Sequence, residues 1–563
     1  MKYVIVGGVA GGGSAAARLR RLDEKAEIII IEKSSHVSFS NCAMPFYLSG
    51  MVKEMDSLIL MNPEKFSKQY HIDARVGEEV IAIDREEKKV TVKKLETGEI
   101  YEESYDRLIL CPGARPLRPS SLRGLDGPHV FTIRHVEDIA SLKWRIDETS
   151  CQRAVVIGGG FIGIEVAENL VSAGLSVTVC EAASQILFPL DEDMVQILHK
   201  ELMDHEVNLI LNDSVKEVTD HSVILMSGRE ISCGLVILAI GIRPDTELAE
   251  KAGLKLGETG AIAVDSTGRT SDPFIYAAGD AVEVHHALSH RFTKLSLAGP
   301  AQQEARRAAS AICGSPLRNP GVIGSFSIQV FDYHAAATGL NEKTARAAGI
   351  PCDTVTVIPF DRVSIMPGSC PLFFKLIYEK VTGKLLGAQC ISKGDAERRV
   401  DVAVALISKG GTLEDARDVE LCYMPLTGTA KDAVNLAGMA GMNLLQGVYR
   451  QVPVSRVRAL VEEGACIVDV RERGEYERGH LKGSLNIPLS ELRERMDEIP
   501  QDQPVYLHCR SGQRSYYAIR ALQGRGYRNL YNISGSFLFL SFYECFRDST
   551  LGRIPIVTAY NFN

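Results

Sequence analysis

The chain has 563 residues, of which 45% are hydrophobic and 24% are charged, and its formal net charge is −8. This length predicts three or four domains, each able to bury a core. The negative charge argues against a general nucleic-acid binder, because neutralising phosphates needs a basic surface. No apolar run approaches a membrane span and no signal peptide precedes the first strand, so a cytoplasmic protein away from membranes is expected.

Thirteen cysteines are scattered along the chain without a CxxC pair, and an odd number fits poorly with a full disulfide framework. In a reducing cytosol most of them would be buried small hydrophobes. Two have neighbours that need a chemical explanation. Cys42 lies in the segment SFSNCAMP at residues 38–45, and Cys509 lies in the segment HCRSGQRS at residues 508–515.

A glycine-rich turn follows the first apolar strand, and a helix is predicted at residues 14–22. Such a turn lets the backbone approach a pyrophosphate, which the amides and the helix dipole then hold. An acid ends the next strand, where it should bind ribose hydroxyls. The middle glycine of the motif is replaced by valine, so a plain βαβ unit with a tight turn is the alternative. The residues of this first site are Gly7, Val9, Gly11, Gly12 and Glu32.

A second turn carries the complete GxGxxG motif after an apolar strand, with a helix predicted at residues 164–173. The motif residues are Gly158, Gly160 and Gly163, and Glu181 follows the next strand. Glu181 would repel a 2′-phosphate and accept hydrogen bonds from a 2′-hydroxyl, so NADH should be preferred over NADPH. Two such sites imply two dinucleotides, one bound permanently and one exchanging.

Residues 1–445 resemble the pyridine nucleotide-disulfide oxidoreductases, specifically the branch of coenzyme A-disulfide reductases and NADH oxidases. The resemblance rests on both glycine turns, on the segment around Cys42, and on segments 105–116, 241–244 and 270–280. It implies an FAD domain, an NAD domain and a dimerisation domain in a homodimer. It also implies that Asp280 binds the ribityl-phosphate region of the flavin.

The branch uses a single cysteine in an S-F-x-N-C context, and Cys42 matches it. A thiolate is needed beside the isoalloxazine, and a helix beginning near Pro45 would lower the thiol pKa. With no cysteine next to it, oxidised Cys42 must pair with a small thiol, a sulfane sulfur, or oxygen as sulfenic acid. The plainer interpretation is a buried structural cysteine.

Coenzyme A carries several phosphates, so its site should contain arginine or lysine. The residues that match the coenzyme A contacts of the family are Ser14, Arg18, Arg21, Ser38, Asn41 and Lys431. The resemblance also implies that Tyr423 approaches the flavin of the partner subunit. A solvated basic helix face and a core tyrosine are the simpler alternatives.

The dimerisation segment departs from its relatives at one point. Coenzyme A-disulfide reductases carry a tyrosine pair ahead of a Pro-Gly, whereas Ile365 and Met366 precede Pro367 here. A phenol that could protonate a leaving thiolate is therefore absent. This departure favours reduction of persulfides or polysulfides over coenzyme A disulfide.

The last 100 or so residues resemble a single rhodanese domain. Residues 450–455 are predicted to be a linker, residues 466–472 a buried strand, and residues 505–508 a strand that leads into Cys509. Loop amides that face one point form an anion nest, and arginines add charge that stabilises a thiolate or persulfide. The loop residues are Arg510, Ser511, Gly512, Gln513 and Arg514.

A tyrosine-phosphatase loop is the sharpest competitor for this segment. That loop has five residues between cysteine and arginine, whereas four separate Cys509 from Arg514. The shorter ring suits a sulfur atom better than a tetrahedral phosphate. An inactive rhodanese fold kept for contacts is the other alternative.

The predicted fold class is α/β, with two Rossmann-like dinucleotide-binding domains, an α+β dimerisation domain and a C-terminal α/β rhodanese domain. The expected boundaries are 1–115 with 245–320 for FAD, 116–244 for NAD(H), 321–449 for dimerisation and 450–563 for rhodanese. No metal is expected.

The predicted function is NADH-driven, FAD-dependent reduction of persulfides, polysulfides or coenzyme A disulfides at Cys42. Cys509 would carry sulfane sulfur toward Cys42 through a moving domain, across the dimer, or on coenzyme A. The alternatives are an NADH oxidase or peroxidase that cycles Cys42 through sulfenic acid, and a sulfur carrier that serves as a redox sensor.

Overall fold

The computed structural model describes residues 1–149 and 151–562. These residues form two compact units. The first unit contains residues 1–184 and 210–322, and the second contains residues 185–209 and the chain from 323 onward. Among the described helices, none is both long and apolar enough to cross a membrane.

The first sheet of the first unit is parallel and five-stranded. Its order is Ile275–Ala277, Arg107–Leu110, Lys2–Val6, Glu27–Glu32 and Asp73–Val76. Helices Ala10–Leu22 and Ala298–Ile312 pack against one face, and other apolar elements cover the opposite face. Burial on both faces explains why the central strands are continuous apolar runs.

The second sheet of the first unit is also parallel. Its order is Val130–Phe131, Leu235–Leu238, Arg153–Ile157, Ser176–Glu181 and Asn208–Leu211. The segments predicted to cross between the two nucleotide domains pair as an antiparallel ribbon, Ala114–Pro116 with Ile242–Pro244. The first glycine turn follows the carboxyl end of strand Lys2–Val6, and the second follows the carboxyl end of strand Arg153–Ile157.

The first unit contains further helices and strands. The other helices, including two 3₁₀ turns, are Asn41–Ala43, Pro45–Leu48, Met55–Leu58, Pro63–Tyr70, Val136–Thr149, Phe161–Ser172 and Glu247–Lys251. The other strands are Ser38–Phe39, Ile59–Met61, Glu78–Asp84, Lys89–Lys94, Ile100–Ser104, Val215–Val218, Ser222–Leu225, Glu230–Ser232, Val284–His285 and Phe292–Thr293.

The second unit contains an antiparallel sheet followed by a parallel one. The antiparallel order is Ser325–Val330, Tyr333–Gly339, Leu385–Ser392, Leu372–Glu379 and Cys352–Val357. The parallel order is Gln451–Val452, Leu530–Ile533, Val505–His508, Cys466–Asp469 and Leu485–Asn486. The helices and 3₁₀ turns are Glu192–Asp204, Glu342–Ala347, Glu397–Ser408, Leu413–Asp418, Ala433–Leu445, Val454–Arg456, Val457–Glu462, Arg473–Glu477, Met496–Glu498, Gln513–Gln523 and Ser536–Leu551.

Several predicted bounds are wrong at their ends. The first helix begins at Ala10 rather than residue 14, and the second glycine turn leads into Phe161–Ser172. The strand predicted at 466–472 ends at Asp469, because the Asp469 carboxylate accepts a hydrogen bond from the Arg471 amide and turns the chain. The predicted linker at 450–455 is also wrong, since Gln451–Val452 is the edge strand of the parallel sheet.

The last long helix, Ser536–Leu551, is buried on nearly all sides within the second unit. Its Phe542 ring meets Phe373 of the antiparallel sheet at 5.3 Å, and Phe546 meets His199 of helix Glu192–Asp204 at 4.9 Å. Aromatic side chains bury large apolar areas, so they dominate the energy of such packing. The C-terminal domain is therefore docked within the second unit, which disfavours the moving domain that was one of the predicted routes for sulfur.

Candidate active site

The two glycine turns close by the same geometry. Gly7 has a φ of 89°, and a Cβ there would lie 2.2 Å from the Cys111 carbonyl oxygen. A Cβ on Gly12 would lie 1.8 Å from the Gly7 oxygen. The middle position of the motif differs. It is Gly160 in the second turn, where an added Cβ would meet no described atom within 4 Å. The protein backbone therefore demands the outer glycines and tolerates Val9 in the middle.

The two acids predicted to contact ribose are held in matching positions. Glu32 accepts hydrogen bonds from the Gly8 and Ser34 amides, both at 2.9 Å. Glu181 accepts a hydrogen bond from the Gly159 amide at 2.7 Å and another from the amide of the residue two positions after Glu181. Each carboxylate thus ends its strand beside a glycine turn, where both were expected.

Cys42 lies on the 3₁₀ turn Asn41–Ala43 and is exposed. Pro45 begins the next helix, as predicted, but that helix ends at Leu48 after one turn. Ser49 at its end donates a 2.6 Å hydrogen bond to Asn169 on helix Phe161–Ser172. The segment of Cys42 is thereby attached to the helix that follows the second glycine turn.

The expected lowering of the Cys42 pKa is not found. Although its side chain reaches the surface, partial burial raises the pKa of Cys42, and the carboxylates of Glu165 and Asp280 raise it further. A short helix carries a weak dipole, so it offers little against two nearby acids. The same electrostatics place Cys42, Asp280 and Glu165 at one site.

Glu165 is a site residue that sequence reasoning missed. It lies on helix Phe161–Ser172, four residues before Asn169, so both side chains share one face. Burial raises the pKa of Glu165 to about 7, and Glu168 adds to the rise. Its position two residues after Gly163 could have marked it, but only the fold brings it to Cys42.

Replacing Glu165 by glutamine should change how stability depends on pH. The folded state holds the Glu165 proton more tightly than the unfolded chain, so its contribution is full below pH 4.5 and disappears as pH rises through about 7. A rise from 4.5 to about 7 corresponds to about 3 kcal/mol at most. We expect Glu165→Gln to match the wild type at pH 3.5 and exceed it by about 1–3 kcal/mol at pH 8 in urea unfolding.

The control for this prediction is Glu258→Gln, which removes an exposed carboxylate of the same unit. That variant should follow the wild type at both pH values. Equal stability of Glu165→Gln and the wild type at pH 8 would contradict the raised pKa.

The matched coenzyme A residues lie in two places in the first unit. Ser14, Arg18 and Arg21 are spaced four and three residues apart on helix Ala10–Leu22, so they share one helix face. Arg20 points elsewhere and is buried, with its guanidinium donating to backbone oxygens such as that of Tyr70. Arg18 donates to Ser310 at 3.1 Å, which fixes its direction.

Ser38 and Asn41, the other matched residues of this unit, flank the strand that leads to Cys42. Ser38 is half-buried and Asn41 is exposed. Their position next to the redox cysteine agrees with the predicted role, which stays a prediction.

Tyr423 and Lys431 lie on the second unit, and both are exposed. Tyr423 is 51% exposed, so it is not the core tyrosine of the simpler alternative. The Pro425 carbonyl accepts a hydrogen bond from Val363, which places the loop of Ile365 beside Tyr423. Ile365 is 82% exposed, and the neighbouring Met424 and Leu426 are exposed as well. An apolar patch of this kind marks an interaction surface.

Cys509 follows the central strand Val505–His508 and is only 1% exposed. The Gly512 amide donates to its sulfur at 3.1 Å, and the Ser515 hydroxyl lies 3.6 Å away. Gly512 has a φ of 103°, a conformation that turns its amide inward and precedes helix Gln513–Gln523. The loop therefore presents one amide and one hydroxyl to the sulfur, and the predicted nest of several amides stays a prediction.

The two loop arginines are in unlike surroundings. Arg514 forms a two-pronged ion pair with Glu475, with distances of 2.6 and 2.7 Å. This pairing raises the pKa of Arg514. Arg510 is largely buried, its guanidinium lies 5.8 Å from the Phe360 ring, and burial lowers its pKa. Much of the positive charge expected at the loop is thus neutralised by the Glu475 carboxylate.

A buried charge network lies at the ends of the strands next to the cysteine loop. Asp469 is 0% exposed and accepts from the Arg471 guanidinium at 2.6 Å, while His508 lies 3.6 Å away. Burial alone would raise the pKa of Asp469, but His508 and Arg471 outweigh it and lower the pKa. Removing one member would leave a buried charge unpaired, which typically costs about 3–5 kcal/mol.

Family models match most of the chain. Residues 1–305 match the pyridine nucleotide-disulphide oxidoreductases, residues 325–433 match the dimerisation domain of that family, and residues 454–538 match the rhodanese-like domain. The chain belongs to the pyridine nucleotide-disulphide oxidoreductases. It is a flavin-dependent oxidoreductase with a C-terminal rhodanese domain, which confirms the predicted family and fold class.

Two solved structures are similar over nearly the whole chain. Reduced Bacillus anthracis CoADR-RHD is 41% identical with a TM-score of 0.94, covering 97% of this chain and 98% of that chain. An NAD-dependent persulfide reductase from A. fulgidus is 34% identical with a TM-score of 0.91, covering 96% and 100%. A coenzyme A disulfide reductase from Staphylococcus epidermidis is 32% identical over 438 residues, which are 78% of this chain and 99% of that protein.

Proposed function

We propose that this protein uses NADH and FAD to reduce the sulfane sulfur of persulfides at Cys42, and that Cys509 carries that sulfur. Its relatives are a coenzyme A disulfide reductase and a persulfide reductase, which supports a sulfur substrate. One observation carries the proposal. A single chain carries an exposed thiol at Cys42 and a buried thiol at Cys509 that accepts a hydrogen bond from its loop.

The chain can hold both dinucleotides with the residues described. The first turn, with Gly7, Val9, Gly11 and Gly12, and Glu32 would bind FAD, and Asp280 would face its ribityl chain. The second turn, with Gly158, Gly160 and Gly163, and Glu181 would bind NADH. When bound, FAD supplies an electron pair from NADH to the sulfur at Cys42.

Cys42 performs the sulfur chemistry in two steps. Its thiolate attacks the outer sulfur of a persulfide, the S–S bond breaks, and the thiol leaves as Cys42 becomes a persulfide. Two electrons then cleave this new bond, releasing sulfide and restoring the Cys42 thiolate. Burial and the carboxylates of Glu165 and Asp280 raise the pKa of Cys42, which opposes formation of this thiolate.

Coenzyme A would bind on the face of Ser14, Arg18 and Arg21, near Ser38 and Asn41. In a homodimer, Lys431 of the partner subunit would reach coenzyme A, and Tyr423 would approach the flavin of the other subunit. The exposed apolar patch of Ile365, Met424 and Leu426 supports this, since a dimer contact would bury it. Without a tyrosine at Ile365 or Met366, no phenol is supplied there to protonate a leaving thiolate.

Anaerobic turnover tests the proposal against its alternative. We expect NADH oxidation with coenzyme A persulfide to release sulfide and to run faster than NADH oxidation with oxygen alone. NADPH should support less turnover, because Glu181 would repel its 2′-phosphate. Faster oxygen consumption than persulfide reduction would favour the NADH oxidase that cycles Cys42 through sulfenic acid. Stoichiometric loading of Cys509 without turnover would favour a sulfur carrier.

A further inference from the structure

Two cysteines of the first unit that the proposed function leaves unused lie at one end of the second parallel sheet. Cys151 lies two residues before strand Arg153–Ile157, and Cys233 lies two residues before strand Leu235–Leu238. The two strands are parallel neighbours, so their amino ends meet at the same end of the sheet. The fold thus brings together two thiols that are far apart in the sequence.

A shared hydrogen-bond acceptor fixes the direction of the Cys151 side chain. The Arg153 carbonyl oxygen accepts a hydrogen bond from the Cys151 thiol at 3.3 Å and another from the Gly234 amide at 3.1 Å. A Cβ added to Gly234 would lie 3.0 Å from the Cys151 sulfur. The Cys151 sulfur therefore lies against the backbone of the residue that directly follows Cys233, and this residue has no side chain to separate the two thiols.

Cys233 is held in place and buried. Its amide donates to the His221 carbonyl at 2.9 Å, and its side chain is 5% exposed within an apolar cluster. Burial raises the pKa of Cys233 to about 11, and the charge of a Cys151 thiolate adds to the rise. Cys151 is half-buried, so a reagent in solution can reach it first. An accessible thiol thus adjoins a buried thiol whose backbone is fixed.

A third cysteine, Cys180, belongs to the same apolar cluster but is a poorer partner for Cys233. It lies opposite Ile157, at the other end of the strand that begins at Arg153. Its carbonyl accepts a hydrogen bond from the Gly158 amide at 2.8 Å, so it lies beside the second glycine turn. The end of the sheet where Cys151 meets Cys233 is on the opposite side.

We propose that Cys151 and Cys233 form a disulfide when the protein meets excess polysulfide. The Cys151 thiolate attacks a sulfur atom of the polysulfide, an S–S bond breaks, and the shortened polysulfide leaves, so that Cys151 becomes a persulfide. The Cys233 thiolate then attacks the Cys151 sulfur and hydrosulfide leaves, while the proton of the Cys233 thiol goes to water. Two thiols are oxidised, and one sulfane sulfur atom is reduced to hydrosulfide.

This disulfide closes a loop over residues 152–232, which contains the second glycine turn and Glu181. Closing a long loop restricts the unfolded chain and thereby stabilises the folded state. We expect polysulfide treatment to raise the midpoint of thermal unfolding by at least about 3 °C and dithiothreitol to reverse the rise. Cys151→Ser should show no rise, because Cys233 then has no accessible partner.

Peptide mass spectrometry tests the pairing directly. The FAD-loaded full-length protein is incubated with polysulfide without oxygen, its free thiols are alkylated, and it is digested without reduction. The wild type should yield the peptides of Cys151 and Cys233 joined, two hydrogens lighter than their sum, and Cys151→Ser should not. The control is Cys313→Ser, which removes another half-buried thiol of the first unit and should keep the joined peptides. Cys42→Ser should keep them as well, because the proposed redox cysteine takes no part.

Three outcomes overturn the inference. Wild-type protein that keeps both thiols free has no such modification site. A persulfide that stays on Cys151 without release of hydrosulfide shows that the buried thiol cannot attack it. Pairing of Cys233 with Cys180 assigns the disulfide to the wrong end of the strand. If Cys151→Ser fails to fold, Cys233→Ala is held to the same mass criterion.

Discussion

Replacing Cys42 by serine should abolish NADH-driven reduction of sulfur substrates while flavin reduction by NADH continues. The serine hydroxyl cannot form the S–S bond on which the proposed cycle depends, so turnover should fall by at least about a thousandfold. Cys42 is exposed on a 3₁₀ turn and contributes little to the core, so the variant should fold normally. The measurements are anaerobic sulfide release and the bleaching of flavin absorbance by NADH.

Cys151→Ser is the matched control, because it removes another accessible thiol of the same unit. It should keep wild-type turnover. Sulfide release by Cys42→Ser at the wild-type rate would mean that the flavin reduces sulfur substrates without a protein thiol. Loss of flavin bleaching as well would instead show that the substitution damaged dinucleotide binding.

The overall architecture was predictable because glycine turns, strand-end acids and crossover segments follow each other in a fixed order. Each motif has a local physical cause, as at Gly7 and Gly12, where any Cβ would overlap a backbone oxygen. Local causes can be read from a sequence. The bounds were less predictable, since the end of the strand at Asp469 depends on a side chain that turns the backbone.

The electrostatics of the sites were not predictable from the sequence. The Glu165 carboxylate influences Cys42 only because the fold brings their segments together, and Glu475 reaches Arg514 across 39 residues of chain. The raised pKa of Cys42 follows from burial and from acids brought by other segments. Motif reasoning named the residues proposed to react, whereas the fold determined which charges surround them.

The docked helix Ser536–Leu551 limits how sulfur can reach Cys42. Its aromatic contacts with Phe373 and His199 hold the rhodanese domain in the second unit, so domain swinging would have to break a buried interface. Among the three routes considered for sulfur, these contacts favour a carrier molecule or transfer across a dimer over domain motion. A pantetheine arm held by Arg18 and Arg21 would serve the first route.

Replacing Cys509 by serine should separate the two thiols functionally. Gly512 donates to the sulfur at 3.1 Å, and a serine oxygen can accept the same hydrogen bond, so the loop should keep its shape. Without a thiolate no persulfide can form there. We expect turnover with free polysulfide to fall by at least about a hundredfold, while reduction of coenzyme A disulfide at Cys42 stays at its wild-type rate.

Mass spectrometry of the protein after incubation with polysulfide provides the direct reading. The wild type should gain one sulfur atom at Cys509, and the variant should gain none at that position. Cys545→Ser is the control, because it removes another buried thiol of the same domain and should load sulfur normally. If Cys509→Ser keeps full turnover with polysulfide and with every persulfide tested, the two ends of the chain do not share a sulfur atom. The rhodanese domain would then act in a separate reaction.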